Sequence, residues 1–127
     1  WPAMSPAWLC PSAAECRCNA MKMRHVSLFR LKPEYRAPEL VIALGAQLRA
    51  LPRKLPTILD CEIGTKPLGG PDASPDGAVQ FYDLIQIITF ANEDDCAAYP
   101  ASQAHADFLA FSQPYMEKVD VIDYPVE

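Results

Sequence analysis

Histidine is scarce in this chain: only His25 and His105 occur among 127 residues. Any chemistry that needs an imidazole is therefore confined to two places. Basic charge is also in short supply, with 11 Lys and Arg against 16 Asp and Glu and a formal net charge of −5. That balance argues against a nucleic-acid partner, which requires a basic surface, and against an anionic membrane surface. No apolar run reaches the ~18 residues of a membrane-crossing helix. The five cysteines, Cys10, Cys16, Cys18, Cys61 and Cys96, are odd in number and contain no CxxC. A disulfide framework is not expected from such a set. Cys16 and Cys18 amount to half a metal site with no histidine near enough to complete it. Free thiols, a reducing cytoplasmic location and no metal site are the expectations.

What the chain does have is apolar residues, at half of the total, and 13 prolines. This length and composition suit one domain around one core. The prolines punctuate the periodic segments instead of interrupting them. Residues 1–22 show no period of 2 or 3.6, and Pro2, Pro6 and Pro11 break every apolar run. Without a basic n-region or an intact apolar stretch they do not read as a signal peptide. They are expected to be an extension outside the core, with a domain over residues 23–127 that begins near Met21 or Met23.

"RHVSLFRLK", 24–32, alternates as a strand, with His25, Ser27, Phe29 and Leu31 on one face and Val26, Leu28 and Arg30 on the other. Pro38 suits a first helical turn, and Leu40, Leu44, Leu48 and Leu51 form a helical stripe that Pro52 is expected to end. "TILDCEIG", 57–64, predicts a second strand. The stretch 65–78 is a loop rich in Gly, Pro and Asp; lacking the phosphate-loop signature, it reads as a connection between strands. "VQFYDLIQIITF", 79–90, predicts a third strand, with Tyr82, Leu84, Gln86 and Ile88 on one face and Phe81, Asp83, Ile85, Ile87 and Thr89 on the other. Asn92 can cap a short helix with acidic residues in its first turn. That helix is expected to stop at Tyr99, since the residue before a proline avoids helical ψ. Ser102 can cap a further helix running to about Met116, and "KVDVIDY", 118–124, closes the chain as a fourth strand.

The order βαββαβ is that of an α+β, ferredoxin-like fold. Two helices cover one face of such a sheet. The first and third strands are largely apolar on both faces, so the second face calls for a partner, most simply a second copy. The first strand is expected beside the third, and the last strand at an edge beyond the third. On that arrangement His25 and Asp123 are not strand neighbours.

The opening "RHVSLFRLK", the strand end "IQIITF", the stretch "AAYPASQAH" and the closing "VIDY" together resemble the stress-responsive dimeric α/β-barrel (Dabb) family, over roughly residues 23–124. The resemblance implies a homodimer whose two sheets close into a barrel, with a pocket in each subunit between sheet and helices. Plant members include stress-induced proteins and olivetolic acid cyclase, a polyketide cyclase that closes a ring by an intramolecular aldol step. On that likeness Tyr99 and His105 match the cyclase's Tyr and His, His25 its first-strand histidine and Asp123 its last-strand aspartate. The cyclase's third-strand histidine, two positions after a tyrosine, falls here on Leu84, with Tyr82 as the tyrosine. The proline-preceding histidine of the usual "HPAH" is also replaced, giving "SQAH".

The residues themselves support a parallel reading. With Ser102 as cap, His105 occupies the third helical position, where the helix dipole disfavours imidazolium and leaves a neutral general base. Tyr99 could donate to a carbonyl that becomes an enolate. Asp123, if turned inward, needs a partner, most plausibly a histidine held in one tautomer. Ser27, Phe29, Leu84, Gln86, Ile88, Phe108, Met116 and Val121 are the candidates to contact a substrate. The plainer alternative makes His105 a helix-start residue and this apolar set ordinary core.

Two functions follow. One is a cofactor-free enzyme of polyketide-cyclase, lyase or isomerase type, acting on a small, carbonyl-rich apolar molecule with His105 as base. The other is a non-catalytic, stress-responsive homodimer that binds a small molecule. A haem- or oxygen-dependent activity is a weaker third, since only His25 and His105 could ligate iron. A cavity of at least ~300 Å³ beside His105 separates a binding or catalytic site from a filled core.

Overall fold

The computed structural model describes residues 21–70 and 81–127. The expected N-terminal extension, apart from its last two residues, lies outside the described residues. So do the second half of the 65–78 loop and positions 79 and 80 of the expected third strand.

Strand β1 (Met23–Leu31) carries the period-2 alternation through to burial: His25, Ser27, Phe29 and Leu31 are buried and the residues between them are not. Helix α1 (Pro38–Arg49) starts on its proline and buries Leu44 and Leu48. Pro52 does not terminate the helical path as expected. It sits in the first turn of a short helix α2 (Leu51–Lys54), where its missing N–H leaves no bond unmade. Strands β2 (Ile58–Gly64) and β3 (Leu84–Phe90) follow, then helix α3 (Glu93–Ala98), helix α4 (Gln103–Ser112) and strand β4 (Met116–Pro125). A 3-10 turn at Gln113–Tyr115 ends α4 before Met116, so Met116 opens a strand where the periodicity placed a helix end.

Two capping expectations hold. The Asn92 side chain accepts from the Asp95 N–H at 2.8 Å, and Ser102 Oγ accepts from the His105 N–H at 3.2 Å. The short helix stops where expected, with Tyr99 as its C-cap, but for another reason: Tyr99 does not leave the helical region before Pro100. It has φ −56° and ψ −48° and opens a 3-10 turn, Tyr99–Ala101, in which the proline takes the early position. The chain turns outward only at Ser102, at ψ 153°.

The four strands form one antiparallel sheet in the order β2-β3-β1-β4. This corrects the expected position of the last strand. β3 has both edges occupied, by β2 and by β1, so β4 cannot lie beyond it; β4 pairs instead along the outer edge of β1. His25 and Asp123 consequently stand directly opposite one another.

The face of β1 toward the helices continues across its neighbours in three rows: Ile88–His25–Asp123, Gln86–Ser27–Val121 and Leu84–Phe29–Val119. Over the β3 side of these rows the core closes, with Phe29, Leu44, Leu48, Leu84, Ile88, Phe90, Tyr99 and Phe108 all buried. Over the β4 side it does not: Val119 and Val121 remain 44% and 51% exposed. The helical layer thus leaves a gap above β1 and β4.

The third strand begins later than its sequence suggests. Phe81, Tyr82 and Asp83 precede it, so the alternation read from 84–90 does not extend back to them. Asp83 is buried, accepting from the Leu31 N–H at 2.8 Å and lying 3.4 Å from Arg36 Nε. Tyr82 donates its hydroxyl to Asp120 and carries the Arg30 guanidinium over its ring at 5.2 Å.

Candidate functional site

The gap above β1 and β4 is a cavity of about 450 Å³. Its floor is His25, Ser27, Phe29, Gln86, Val119, Val121 and Asp123, and its helical wall includes Tyr99, His105 and Phe108. It exceeds the ~300 Å³ that distinguishes a ligand site from a packed core. Met116 also lines it. Leu84 and Ile88, two of the expected contacts, do not: both belong to the closed core on the β3 side, 2% and 0% exposed. Pro100, Leu109, Ser112 and Gln113 line it without having been singled out. The last three lie along α4 and the turn after it, and only the docked position of α4 shows which of its faces meets the gap.

Three side chains on the floor form a chain of hydrogen bonds. His25 Nδ1 is 2.6 Å from Asp123 Oδ1, and Ser27 Oγ is 3.1 Å from His25 Nε2. The carboxylate can only accept, so His25 carries a proton on Nδ1, and in the neutral ring Nε2 is then the acceptor for the Ser27 hydroxyl. His25 is 5% exposed, whereas Asp123 remains half exposed.

Tyr99 stands between the two imidazoles. Its ring lies 5.1 Å from His25 at 76° and 5.0 Å from His105 at 77°, edge-on to both. The bend at 99–102 produces this placement, since Ser102 donates its hydroxyl to the Tyr99 carbonyl at 2.7 Å while capping the helix that carries His105. Burial, with a smaller contribution from Cys61, pushes the Tyr99 phenol up to about 12, and the Gln86 amide works the other way. Near neutral pH Tyr99 is a hydrogen-bond donor.

His105 titrates below its ordinary value, first because burial penalises the imidazolium and next because His25 is close by. The Pro100 carbonyl opposes this, but Nδ1 of His105 closes no hydrogen bond of ordinary geometry. Gln86 Nε2 is likewise buried without a partner. In a pocket so rich in apolar surface, two nitrogens whose neighbours in the protein satisfy them poorly can meet a polar group of a ligand.

One cluster escaped the sequence reading. His25, Cys96 and Asp123 bring a nitrogen, a sulfur and a carboxylate oxygen within 4.8 Å of one another, a donor set of the kind zinc accepts. The His25–Asp123 hydrogen bond already joins two of the three. Burial, reinforced by the Asp123 charge, pushes the Cys96 thiol up to about 11, so it stays protonated. Cys61 and Cys96 are free thiols.

A four-stranded antiparallel sheet with helices on one face, and a cavity between them, defines an α+β protein of ferredoxin-like fold. The chain belongs to the stress responsive A/B barrel domain family, whose model matches residues 23–126. Among solved structures it is similar to a protein from Arabidopsis thaliana, at 26% identity and a TM-score of 0.68, covering 83% of this chain and 95% of that one. A dimeric ferredoxin-like protein of unknown function from Thermobifida fusca matches at 24% identity and a TM-score of 0.67, covering 84% and 92%. A hydroxynitrile lyase from Passiflora edulis matches at 21% identity and a TM-score of 0.67, covering 84% and 94%. The last two share the fold. A comparison with curated proteins finds no match. Among the described residues no helix is long and apolar enough to cross a membrane.

Proposed function

We propose that the chain is a cofactor-free enzyme that moves a proton next to a carbonyl of a small apolar substrate, in the manner of a polyketide cyclase, lyase or isomerase. The observation that carries this reading is the arrangement in the cavity. A neutral, uncommitted His105 and a protonated Tyr99 sit side by side against an apolar void of about 450 Å³. His105 takes the proton α to the carbonyl, and Tyr99 donates to the oxygen as charge develops on it. His25, held by Asp123, fixes the opposite side of Tyr99 and is the second site for a proton. That a hydroxynitrile lyase shares the fold is in keeping with carbon–carbon bond chemistry in such a cavity.

The working form is a homodimer. Val26, Leu28, Ile85 and Ile87 are half-buried on the sheet face away from the helices, with Ile122 beside Val26 on β4. A second copy would cover this face, and structures of the same fold are dimeric. The free Cys61 and Cys96 suit a reducing compartment such as the cytoplasm.

The alternative is a binding protein that uses the same cavity without turnover. Leu84 favours it, because a core leucine stands where the cyclase has a histidine. Deuterium incorporation at the α-carbon of medium-chain methyl ketones, followed by NMR in D2O, decides between the two. Catalysed exchange that falls by about 10²-fold or more in His105→Ala supports the enzyme. Ligand-induced thermal stabilisation with no catalysed exchange supports the binding protein.

A further inference from the structure

The hydrogen-bonded chain on the cavity floor has a property that proton transfer by His105 does not use. A hydroxyl, an imidazole and a carboxylate lie in series: Ser27 Oγ at 3.1 Å from His25 Nε2, and His25 Nδ1 at 2.6 Å from Asp123 Oδ1. This is the relation of nucleophile, base and orienting acid in serine acyl transfer, which is recognised by geometry and roles and not by sequence position. Two neighbouring strands assemble it. His25 and Ser27 share the inward face of β1, and β4 delivers Asp123 opposite His25.

A second observation points to a ligand at the same place. Gln86 is the cross-strand partner of Ser27 on β3, it lines the cavity, and it is 1% exposed with Nε2 unpartnered. Directly opposed residues on one face have Cβ atoms about 4.5–5.5 Å apart. Gln86 Nε2 thus starts from the strand position next to Ser27, and although its amide acts on Tyr99 and Cys61, it closes no hydrogen bond of ordinary geometry within the protein. Leaving such a group dry costs stability, and an oxyanion formed at Ser27 would satisfy it.

We infer that Ser27 is a nucleophile, activated by His25 and Asp123, and that the cavity hydrolyses small apolar esters through an acyl–Ser27 intermediate with Gln86 Nε2 as an oxyanion donor. Ser27 Oγ forms a bond to the acyl carbon while its proton passes to His25 Nε2. The alkoxide leaves and takes that proton, departing as the alcohol. Water then attacks the acyl carbon, gives a proton to His25 Nε2, and the carboxylic acid departs as the proton returns to Ser27 Oγ. Ester and water become acid and alcohol, and no oxidant or cofactor is required. Phe29, Phe108 and Val121 provide the apolar surface for the acyl chain.

The activity shares the cavity with the proton-transfer reading but does not depend on it, because His105 takes no part. The full chain is incubated with diisopropyl fluorophosphate and mapped by peptide mass spectrometry, and p-nitrophenyl butyrate hydrolysis is followed in parallel. The expected result is one adduct on the peptide that contains Ser27, absent from Ser27→Ala, with hydrolysis falling in that variant by about 10²-fold or more. Asp123→Asn is expected to slow labelling at least about tenfold, and Gln86→Leu to lower hydrolysis by about 10²-fold. Circular dichroism melts establish that each variant is folded. Folded wild type that takes up no label at Ser27, or hydrolyses the ester no faster than Ser27→Ala, overturns the inference. Either result leaves ketone exchange by His105 standing.

Discussion

His25 and Asp123 face each other across the β1–β4 ladder with Nδ1 2.6 Å from Oδ1. The pair is a product of strand order: one strand is central, the other is an edge, and neither residue has another ionisable partner as close. Asp123→Asn keeps the shape but replaces the anion by an amide that can present its NH2 and disturb the tautomer of His25. Catalysed ketone exchange is expected to fall by about tenfold or more, with thermal stability lowered little because Asp123 is half exposed. An unchanged rate would show that His25 needs no orientation.

His105 should make stability depend on pH. Its folded-state value lies below 6.5 through burial and the nearby His25, so just below 6.5 the unfolded chain binds more protons than the folded one. Stability is then present in full above 6.5 and is lost as pH falls through that value toward the folded one. Urea midpoints measured between about pH 5 and 7.5 should show wild type losing stability on acidification more steeply than His105→Gln. Parallel curves for the two proteins would contradict a depressed His105.

Leu84→His tests the likeness to the cyclase. In the closed core, 2% exposed, an imidazole would be buried without a partner. The substitution should cost about 2–4 kcal/mol in urea unfolding, and it should not create cyclisation of a tetraketide-like substrate. A stable variant with new cyclase activity would mean that position 84 reaches the cavity after all.

Ile85→Lys tests the dimer. Ile85 is half-buried on the face away from the helices, opposite Leu28 on β1. A lysine there would be an unpaired charge against a partner sheet. Sedimentation should show a dimer for wild type and a monomer or aggregate for the variant. Wild type that sediments as a monomer at micromolar concentration would remove the basis for sheet-to-sheet association.

How far the residues alone reached depends on whether the physics was local. Alternation in "RHVSLFRLK" identified the buried face of β1, since successive side chains of a strand must point to opposite sides. Asn92 and Ser102 could be read as caps because a cap needs only its own oxygen and an N–H three residues on. The order of elements, four strands with helical segments after the first and the third, was enough for a ferredoxin-like fold. The helix end at Tyr99 was legible, but not its backbone: the preference before proline is weak enough for packing to override, and Tyr99, packed against two imidazoles and Phe90, keeps helical angles.

Tyr82 and Asp83 were misread because alternation carries no mark of where a strand begins, and β3 begins only at Leu84. Tertiary structure alone decided the rest. It set β4 on the edge of β1, β3 being flanked on both sides, and so joined residues 98 positions apart. It sealed Leu84 and Ile88 while leaving Val119 and Val121 open, because the helices cover one side of the sheet more fully than the other. A side chain's type and face are written in its neighbours along the chain; whether it meets a core atom, a partner or an empty cavity is settled by elements that arrive from elsewhere in the sequence.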